Sequence, residues 1–524
     1  MSHKIAKAAG VMSVATLISR ILGFVRDMVM AFYLGATGLS DAFYVGFRIP
    51  NLLRDFFAEG SMSSAFVPVL SEYHAKEGNE GANRLVKVVF AFILTVVGSI
   101  SIIGILGAPA IVGLLAPGFL HIPGKFALAV MLTRIMFPFL LFVSLSALAM
   151  GSLNTRGIFF IPALAPAVLN VVMITIALLF ARINAPLAAA FGILIGGMTQ
   201  FLFQLPSFFR AGYSLRPVLA FKDPGLRKIM GLVLPATFAM SVAQINVAVS
   251  TILASYLSAG SITYLYYAMR LIHFPIGIFG VSMGLAVLPA LSAHFAKGDI
   301  ISLRNDFSFA LRLLFFWGLP SMAGLIALRK PIISTLFFLH RGKFDYTALT
   351  ATSAAVLFYA VGLWAMVGVR VLNATFYAMQ DTRKPVISAV AALIVNIILS
   401  IILLGPLKYK GLALANSLAS CLNFTLLSYM LRKKLGRIDG RRILKSIART
   451  ALASLAMGIA GYEALKSGLW NTPGHNFLKA GMLFGGITLC GFVYIIISFA
   501  LKSGELEYAK GVFKRKFARL SGAK

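Results

Sequence analysis

The feature that most constrains this chain is a succession of apolar runs, each long enough to cross a lipid bilayer. A membrane-spanning helix takes about 20 mostly apolar residues. Fourteen such stretches follow one another near residues 9–34, 41–71, 88–116, 126–151, 159–181, 187–209, 229–257, 261–294, 306–328, 348–379, 385–404, 411–431, 446–465 and 477–501. The second and eighth are long, polar and interrupted by Pro50 and Pro275, and Pro117 closes the third. Proline frees a carbonyl in a lipid-spanning helix, and a neighbour must then satisfy it. Composition agrees: 59% of the 524 residues are hydrophobic and 12% are charged, about half the charged share of a soluble domain. These values exclude a soluble enzyme, and 43 phenylalanines exclude a disordered chain. The expected fold is an all-α polytopic membrane protein of about 14 transmembrane helices.

Two cysteines, Cys421 and Cys490, each inside an apolar run, rule out a disulfide framework and a cysteine zinc site. Seven histidines occur without an HExxH or other paired spacing, so no metal site is expected. The N-terminus pairs a short basic flank (Lys4, Lys7) with an apolar stretch, but Arg20, Arg26 and Asp27 interrupt it. We read it as a retained first membrane helix rather than a signal peptide.

Lys and Arg outnumber Asp and Glu by 48 to 16. That excess alone would fit any polyanion, but nucleic-acid binding needs basic clusters on a water-facing surface, and no nucleic-acid partner is expected. Position is more informative. Fourteen spans place both termini on one side, together with 72–87, Arg156, 210–228, 297–312, Arg383, Lys384, 432–449 and the tail from Lys502. That side holds 31 of the 48 basic residues, the opposite loops hold 10, and 7 fall within spans. The positive-inside rule then makes both termini cytoplasmic.

The chain also repeats itself. VPVLSEYHAKEG (67–78) matches LPALSAHFAKGD (288–299), with Pro68/Pro289, Ser71/Ser292 and Lys76/Lys297 at an offset of 221. AFYLGA (31–36) echoes ASYLSA (254–259) at 223, and Asn170 and Asn396 correspond at 226. An offset of six helices keeps the two copies in the same orientation, a parallel repeat related by an axis along the membrane normal. The expected organisation is an N-terminal lobe over 1–212 and a C-terminal lobe over 226–434. Two additional helices over 442–501 and a basic cytoplasmic tail over 502–524 follow. Two lobes around a central cavity fit a transporter better than a channel ring or a receptor.

Ionisable groups inside spans cost several kcal/mol and usually face a cavity or a partner. Of eleven such groups, eight lie within the first 60 residues: Arg20, Arg26, Asp27, Asp41, Arg48, Arg54, Asp55 and Glu59. The others are Arg134, Arg270 and Arg370, and Arg270 answers Arg48 at an offset of 222. Asp55 reads as an interfacial or ion-paired residue, and Arg134 and Arg156 as snorkelling residues near span ends. Arg20, Arg26, Arg54 and Arg270 read as functional. Arginine stays charged in a low-dielectric site and offers a planar fork to phosphate oxygens. A cationic cavity so built implies an anionic substrate, a phosphate or diphosphate, with Asp41 and Glu59 orienting the arginines or taking part in coupling. Three GxxxG pairs, Gly192/Gly196, Gly280/Gly284 and Gly481/Gly485, read as close helix packing. No Walker loop is present, so no ATP drive is expected in the chain.

SRILGFVRD (19–27), LSDAFYVGFRIPNLLRDFFAEG (39–60), SAFVPVLSEY (64–73), APGF (116–119) and YYAMRLIHFPIGIFGVSMG (266–284) resemble the MurJ (MviN) lipid II flippases of bacterial peptidoglycan synthesis. QDTRKP (380–385) and GPLK (405–408) fit as well, so the resemblance covers essentially the whole chain. It implies a fourteen-helix fold of the multidrug/oligosaccharidyl-lipid/polysaccharide exporter superfamily, with helices 13 and 14 forming a groove for the undecaprenyl tail. It implies a transporter of the cytoplasmic (inner) membrane, not an enzyme. Its cargo would be lipid II, in contact with membrane lipid and with cell-wall synthesis or division proteins. The family's functional positions carry over onto Arg20, Arg26, Arg54 and Arg270 as substrate-binding residues, and onto Asp27, Asp41, Arg48 and Glu59 as supporting or coupling residues. No cofactor is implied beyond a coupling cation or the membrane potential. In one place the sequence departs from the family's pattern, YYADRLMEFP: Met269 and His273 stand where that pattern has acids. The change makes the field around Arg270 more positive and removes the acids to which coupling would be assigned there.

Three readings stay open on residues alone. The first is lipid II translocation by alternating access. The second is the same fold with other cargo, another undecaprenyl-linked glycan or a cationic drug, although a drug antiporter should line its cavity with acids. The third is a membrane enzyme acting on polyprenyl phosphates or a non-transporting scaffold. An enzyme needs a base or metal acids converging on the arginines, and a scaffold does not require charges in spans 1, 2 and 8.

Overall fold

The computed structural model describes the backbone of residues 2–54, 61–508 and 510–511, with side chains from residue 12 onward except 13, 61–64 and 234–243. Among the described residues every regular element is a helix. The chain divides into two compact units, one of residues 1–263 with 342–344, the other of 264–341 with 345–524.

The first unit holds α1 (Ser2–Leu34), α2 (Gly38–Arg54), α3 (Ser61–Phe92), α4 (Gly98–Leu106), α5 (Ala108–Leu115), α6 (Lys125–Met136) and α7 (Phe139–Thr155). It continues with α8 (Phe160–Leu202), α9 (Leu205–Arg210), α10 (Pro224–Ser255) and the opening residues of α11 (Ser261–Pro275). α1 lies along α8, α2 packs against α6, and α3 packs against α7 and α10. Phe66, Leu70, Val86, Val89, Leu148 and Phe208 form the centre of its core and are fully buried.

Spans 159–181 and 187–209 appear as one helical run broken at Asn184, whose backbone leaves the helix at φ −151°, ψ 96°. The Asn184 side chain accepts from the Leu187 N–H at 3.2 Å, and Pro186, having no N–H, needs no acceptor in the new first turn. The two halves fold back on each other. A Cβ at Gly192 would sit 3.1 Å from Met173, and one at Gly196 would sit 3.1 Å from the Leu169 carbonyl. This GxxxG pair is a packing seam, as read from sequence.

The second unit completes α11 and adds α12 (Ser282–Ala296), α13 (Ile300–Phe337), α14 (Tyr346–Ala360), α15 (Leu363–Ala378) and α16 (Arg383–Leu407). α17 (Tyr409–Leu435), α18 (Gly440–Ala464) and α19 (Asn476–Ala500) follow. α14 and α15 are bent by 43° at Gly362. A Cβ at Gly362 would lie 2.6 Å from the Ser417 Cα. The Ser417 hydroxyl donates to the Phe358 and Tyr359 carbonyls at 2.6 and 3.0 Å, beside the break. α18 and α19 are held to α13, with Phe316, Leu328, Met457, Cys490 and Tyr494 buried together. Tyr494 donates to the Phe316 carbonyl at 2.5 Å. A cavity of about 500 Å³ opens beside this seam, lined by Leu319, Met322, Ile326, Leu455, Ile459 and Tyr462 among others.

Nine helical segments among the described residues are long and apolar enough to cross a membrane, ten if the bent α14–α15 pair is one span. This is a polytopic membrane fold. The fourteen spans expected from sequence exceed this number, and the difference has identifiable sources. The 160–210 segment counts once although Asn184 turns it back, α2 is only 17 residues long and polar, and the central side chains of α10 and the first of α1 lie outside those described.

Of the GxxxG pairs, Gly280 and Gly284 also pack closely, against Val367 and Arg370 of α15 at 3.2–3.5 Å. A Cβ added at Gly481 or Gly485 would meet no heavy atom within 4 Å, so the third pair is no packing seam among the described residues.

Candidate functional site: charged groups within the membrane helices

In the first unit the charges form two centres. Arg20 on α1 is exposed and makes no hydrogen bond or ion pair among the described residues. Further along the same helix, Arg26 donates from Nε and Nη2 to the same Asp27 oxygen at 3.0 and 2.7 Å, and from Nη1 to Asn170 Oδ1 at 3.1 Å. Asp27 is 1% exposed. Asn170 reaches α8's own Pro166 carbonyl at 3.1 Å and the Ser19 carbonyl at 3.3 Å. Proline at 166 supplies no N–H, but its carbonyl is still an acceptor, and the Asn170 amide fills it. The result is a guanidinium held by a carboxylate and an amide, with its orientation set by three hydrogen bonds.

Arg48 and Arg54 flank Pro50 on α2 and are half-buried. Asp55 and Glu59 lie outside the described residues.

Asp41 forms the second centre. Its Oδ2 accepts from Lys125 Nζ at 3.1 Å and from the Gly260 N–H at 2.7 Å. Its Oδ1 accepts from the Thr263 N–H at 3.1 Å and the Thr263 hydroxyl at 2.8 Å. Ser40 adds a 2.9 Å hydroxyl contact to Thr263. Asp41 is 1% exposed and Lys125 7%, and the Lys125 ammonium also lies 4.1 Å over the Phe119 ring. The first turn of a helix leaves N–H groups without partners and carries partial positive charge. Asp41 therefore caps α11, and its four acceptor contacts are to Lys125, Gly260 and Thr263 rather than to an arginine. Lys125, the first residue of α6, is buried as the counter-ion.

In the second unit Arg270 is half-buried on α11 and Arg370 on α15 is exposed at its head. Arg370's stem is clamped: its Cγ lies 3.3 Å from a Cβ position at Gly280. Gly280 belongs to a π-helical segment, Ile276–Val281, that directly follows Pro275, and such segments gather at functional positions. His273 is exposed, with Nδ1 3.0 Å from the Met269 carbonyl, and both Arg270 and Arg370 lie within electrostatic reach of it.

Arg134 and Arg156 are exposed, the first donating to the Ile105 carbonyl at 3.3 Å and the second 5.4 Å over the Tyr213 ring. Sequence reasoning missed the tail anchor. Glu505 is 3% exposed, and its Oε1 accepts from Arg312 Nη1 at 2.7 Å and the Ser446 hydroxyl at 3.0 Å. Its Oε2 accepts from Ser503 at 3.0 Å. Burial pushes this carboxyl up, but its hydrogen bonds and the Arg312 charge outweigh burial and hold it below the usual glutamate value. Glu505, one of two acids in a basic tail, gives no periodic or motif signal.

Helices long and apolar enough to cross a membrane, several of them carrying arginines, make this a polytopic membrane protein. Solved structures agree on the fold: an inward-facing multidrug resistance MATE family transporter of the MOP superfamily matches 82% of this chain and 95% of its own at TM-score 0.61, with 15% identity. A structure described as lipid II flippase MurJ in an inward closed conformation matches 94% of this chain and 99% of its own at TM-score 0.76 and 28% identity. The family model for lipid II flippase MurJ matches residues 30–480. The probable lipid II flippase MurJ of Vibrio cholerae is 38% identical over 87% of this chain and 88% of its own length. The lipid II flippase MurJ of Burkholderia cenocepacia is 38% identical over 80% and 82%. The chain belongs to the lipid II flippase MurJ family, a family of transporters rather than enzymes.

Proposed function

We propose that this protein moves lipid II, the polyprenyl-diphosphate-linked peptidoglycan precursor, from the inner to the outer leaflet of the bacterial cytoplasmic membrane. The observation that carries the reading is the set of arginines on otherwise apolar helices, in a chain of this family. Arg20, Arg26 and Arg54 in the first unit and Arg270 in the second supply guanidinium forks for the diphosphate. Asp27 and Asn170 preorient Arg26, so less side-chain freedom is lost when an anion arrives. Arg48 and Glu59 support the cluster, and Asp41 supports it by fixing the start of the helix that carries Arg270.

The full architecture in this reading has fourteen spans with both termini cytoplasmic. A lobe over 1–212 and its parallel repeat over 226–434 alternate access to a cationic cavity. The helices of 442–501 hold the polyprenyl tail and 502–524 is a cytoplasmic tail. The apolar cavity beside α18 supports a lipid-tail role for that region. An inside-negative potential favours outward movement of an anion by about 2.3 kcal/mol per charge per 100 mV, so the potential or an ion gradient supplies the drive.

Complementation tests the reading. Arg270→Ala, present in the membrane at normal level, should fail to support growth when the native flippase is depleted. Full growth would contradict the role given to that residue. A flippase for another polyprenyl-linked glycan is the second reading, since the arginines see a diphosphate in either case. Native mass spectrometry comparing retention of lipid II with other polyprenyl-linked sugars separates the two.

A further inference from the structure

His273 is not an ordinary surface histidine. Its Nδ1 is 3.0 Å from the Met269 carbonyl. A carbonyl only accepts, so Nδ1 carries the ring hydrogen, and a neutral ring then turns a bare lone pair outward at Nε2. The ring is exposed, and Nε2 has no partner among the described residues. The charged groups acting on it are Arg270, one helical turn back on its own helix, and Arg370 from α15, packed against the same segment at Gly280 and Gly284. Three groups that can carry positive charge therefore neighbour one another within the second unit, contributed by two helices.

A neutral His273 would present an acceptor to an incoming phosphate, which is itself an acceptor. A protonated His273 would present a donor and a charge. With two guanidinium groups beside it, a third positive charge is stabilised only when an anion shares the site. We propose that His273 is a third diphosphate ligand of this unit, taking a proton from solvent onto Nε2 as the substrate's diphosphate binds and returning it on release. This inference rests on the lipid-diphosphate reading above. The step forms one N–H bond at Nε2 and breaks one O–H bond of a solvent hydronium ion, leaving water, while no bond in the substrate breaks. It couples one proton to each binding event at a position where this chain has no acid.

The test is the pH dependence of lipid II binding by full-length protein in lipid nanodiscs. A diphosphate diester is fully ionised throughout the range in which histidine titrates, about pH 6 to 8, so any change in affinity over that range comes from the protein. Wild type should bind less tightly as pH rises, by about tenfold for each unit by which the bound anion raises the histidine's pKa. His273→Gln, which keeps a polar side chain but cannot be charged, should bind with the weaker affinity at every pH. His273→Lys, charged throughout, should bind tightly at every pH. If wild type shows no pH dependence, or if His273→Gln retains it, the inference is overturned while lipid II binding stands. If wild type retains no lipid II at any pH, the proposed function fails, and this inference with it.

Discussion

Asp41 accepts both the backbone N–H and the hydroxyl of Thr263, the residue 222 positions further along the chain, at 3.1 and 2.8 Å. That separation equals the 222-residue offset between Arg48 and Arg270 in the sequence. Asp41 on α2 thus caps α11, the helix that carries Arg270. Its contacts to Lys125 and Gly260 complete four acceptor contacts on one buried carboxylate. Burying a carboxylate is tolerable only with a partner of this kind.

Removing one member of such a pair leaves the other charge stranded. Asp41→Ala should destabilise the protein by about 3 kcal/mol or more, read as a lowered unfolding temperature in detergent. Lys125→Met should cost a similar amount. The double variant should recover part of the loss, because no lone charge then remains. Additive losses would contradict the pairing.

Asn170 tests whether the orientation of Arg26 matters. Asn170→Ala removes the 3.1 Å bond to Nη1 and should weaken lipid II binding by about tenfold, the scale of one hydrogen bond to a charged group. Asp27→Asn should act in the same direction. Unchanged binding in both would show that Arg26 does not need them.

Much of the membrane fold was legible in the sequence, because apolar runs and proline breaks act locally. Each expected run is helical where its backbone is described, and the turn near 184 is where a polar residue precedes Ala-Pro. The partners were less legible. Helical-face spacing groups Arg20 with Asp27, yet Arg26 bonds its immediate neighbour, which that spacing rule does not pair. Lys125 opens α6 with no motif around it, and only the packing of α6 on α2 pairs it with Asp41, 84 residues earlier. Asn170 stands out in the sequence as a repeat marker, but its contact with Arg26 spans 144 residues.

The tail anchor carries a pH prediction. Glu505 has a depressed pKa in the folded protein, so it binds its proton more weakly folded than unfolded. Its contribution is therefore complete above the usual glutamate range and is lost as pH falls through the lower, folded value. Protection of the amides of residues 502–508, taken relative to the intrinsic exchange rate at each pH, should be high at neutral pH and fall as pH drops below the usual glutamate range. Glu505→Gln should lower that protection at neutral pH and remove the acid-induced change.

Gly362 tests the broken span. A side chain there would strike Ser417, whose hydroxyl serves the carbonyls at the break. Gly362→Val should cost about 1–3 kcal/mol by overpacking, seen as a lower unfolding temperature. Ser417→Ala should cost less, about 1 kcal/mol. A neutral Gly362→Val would mean that the two helices can separate freely at this point.

Lipid II translocation in sealed vesicles shows whether the membrane arginines carry a lipid diphosphate across the bilayer. Potential and ion gradients should be varied separately, with wild type compared with Arg26→Ala and Arg270→Ala. Outward movement by wild type should rise with an inside-negative potential or an imposed gradient and should be lost in both variants. Movement by the variants at the wild-type rate, or none by wild type above protein-free vesicles, would contradict that role of the arginines.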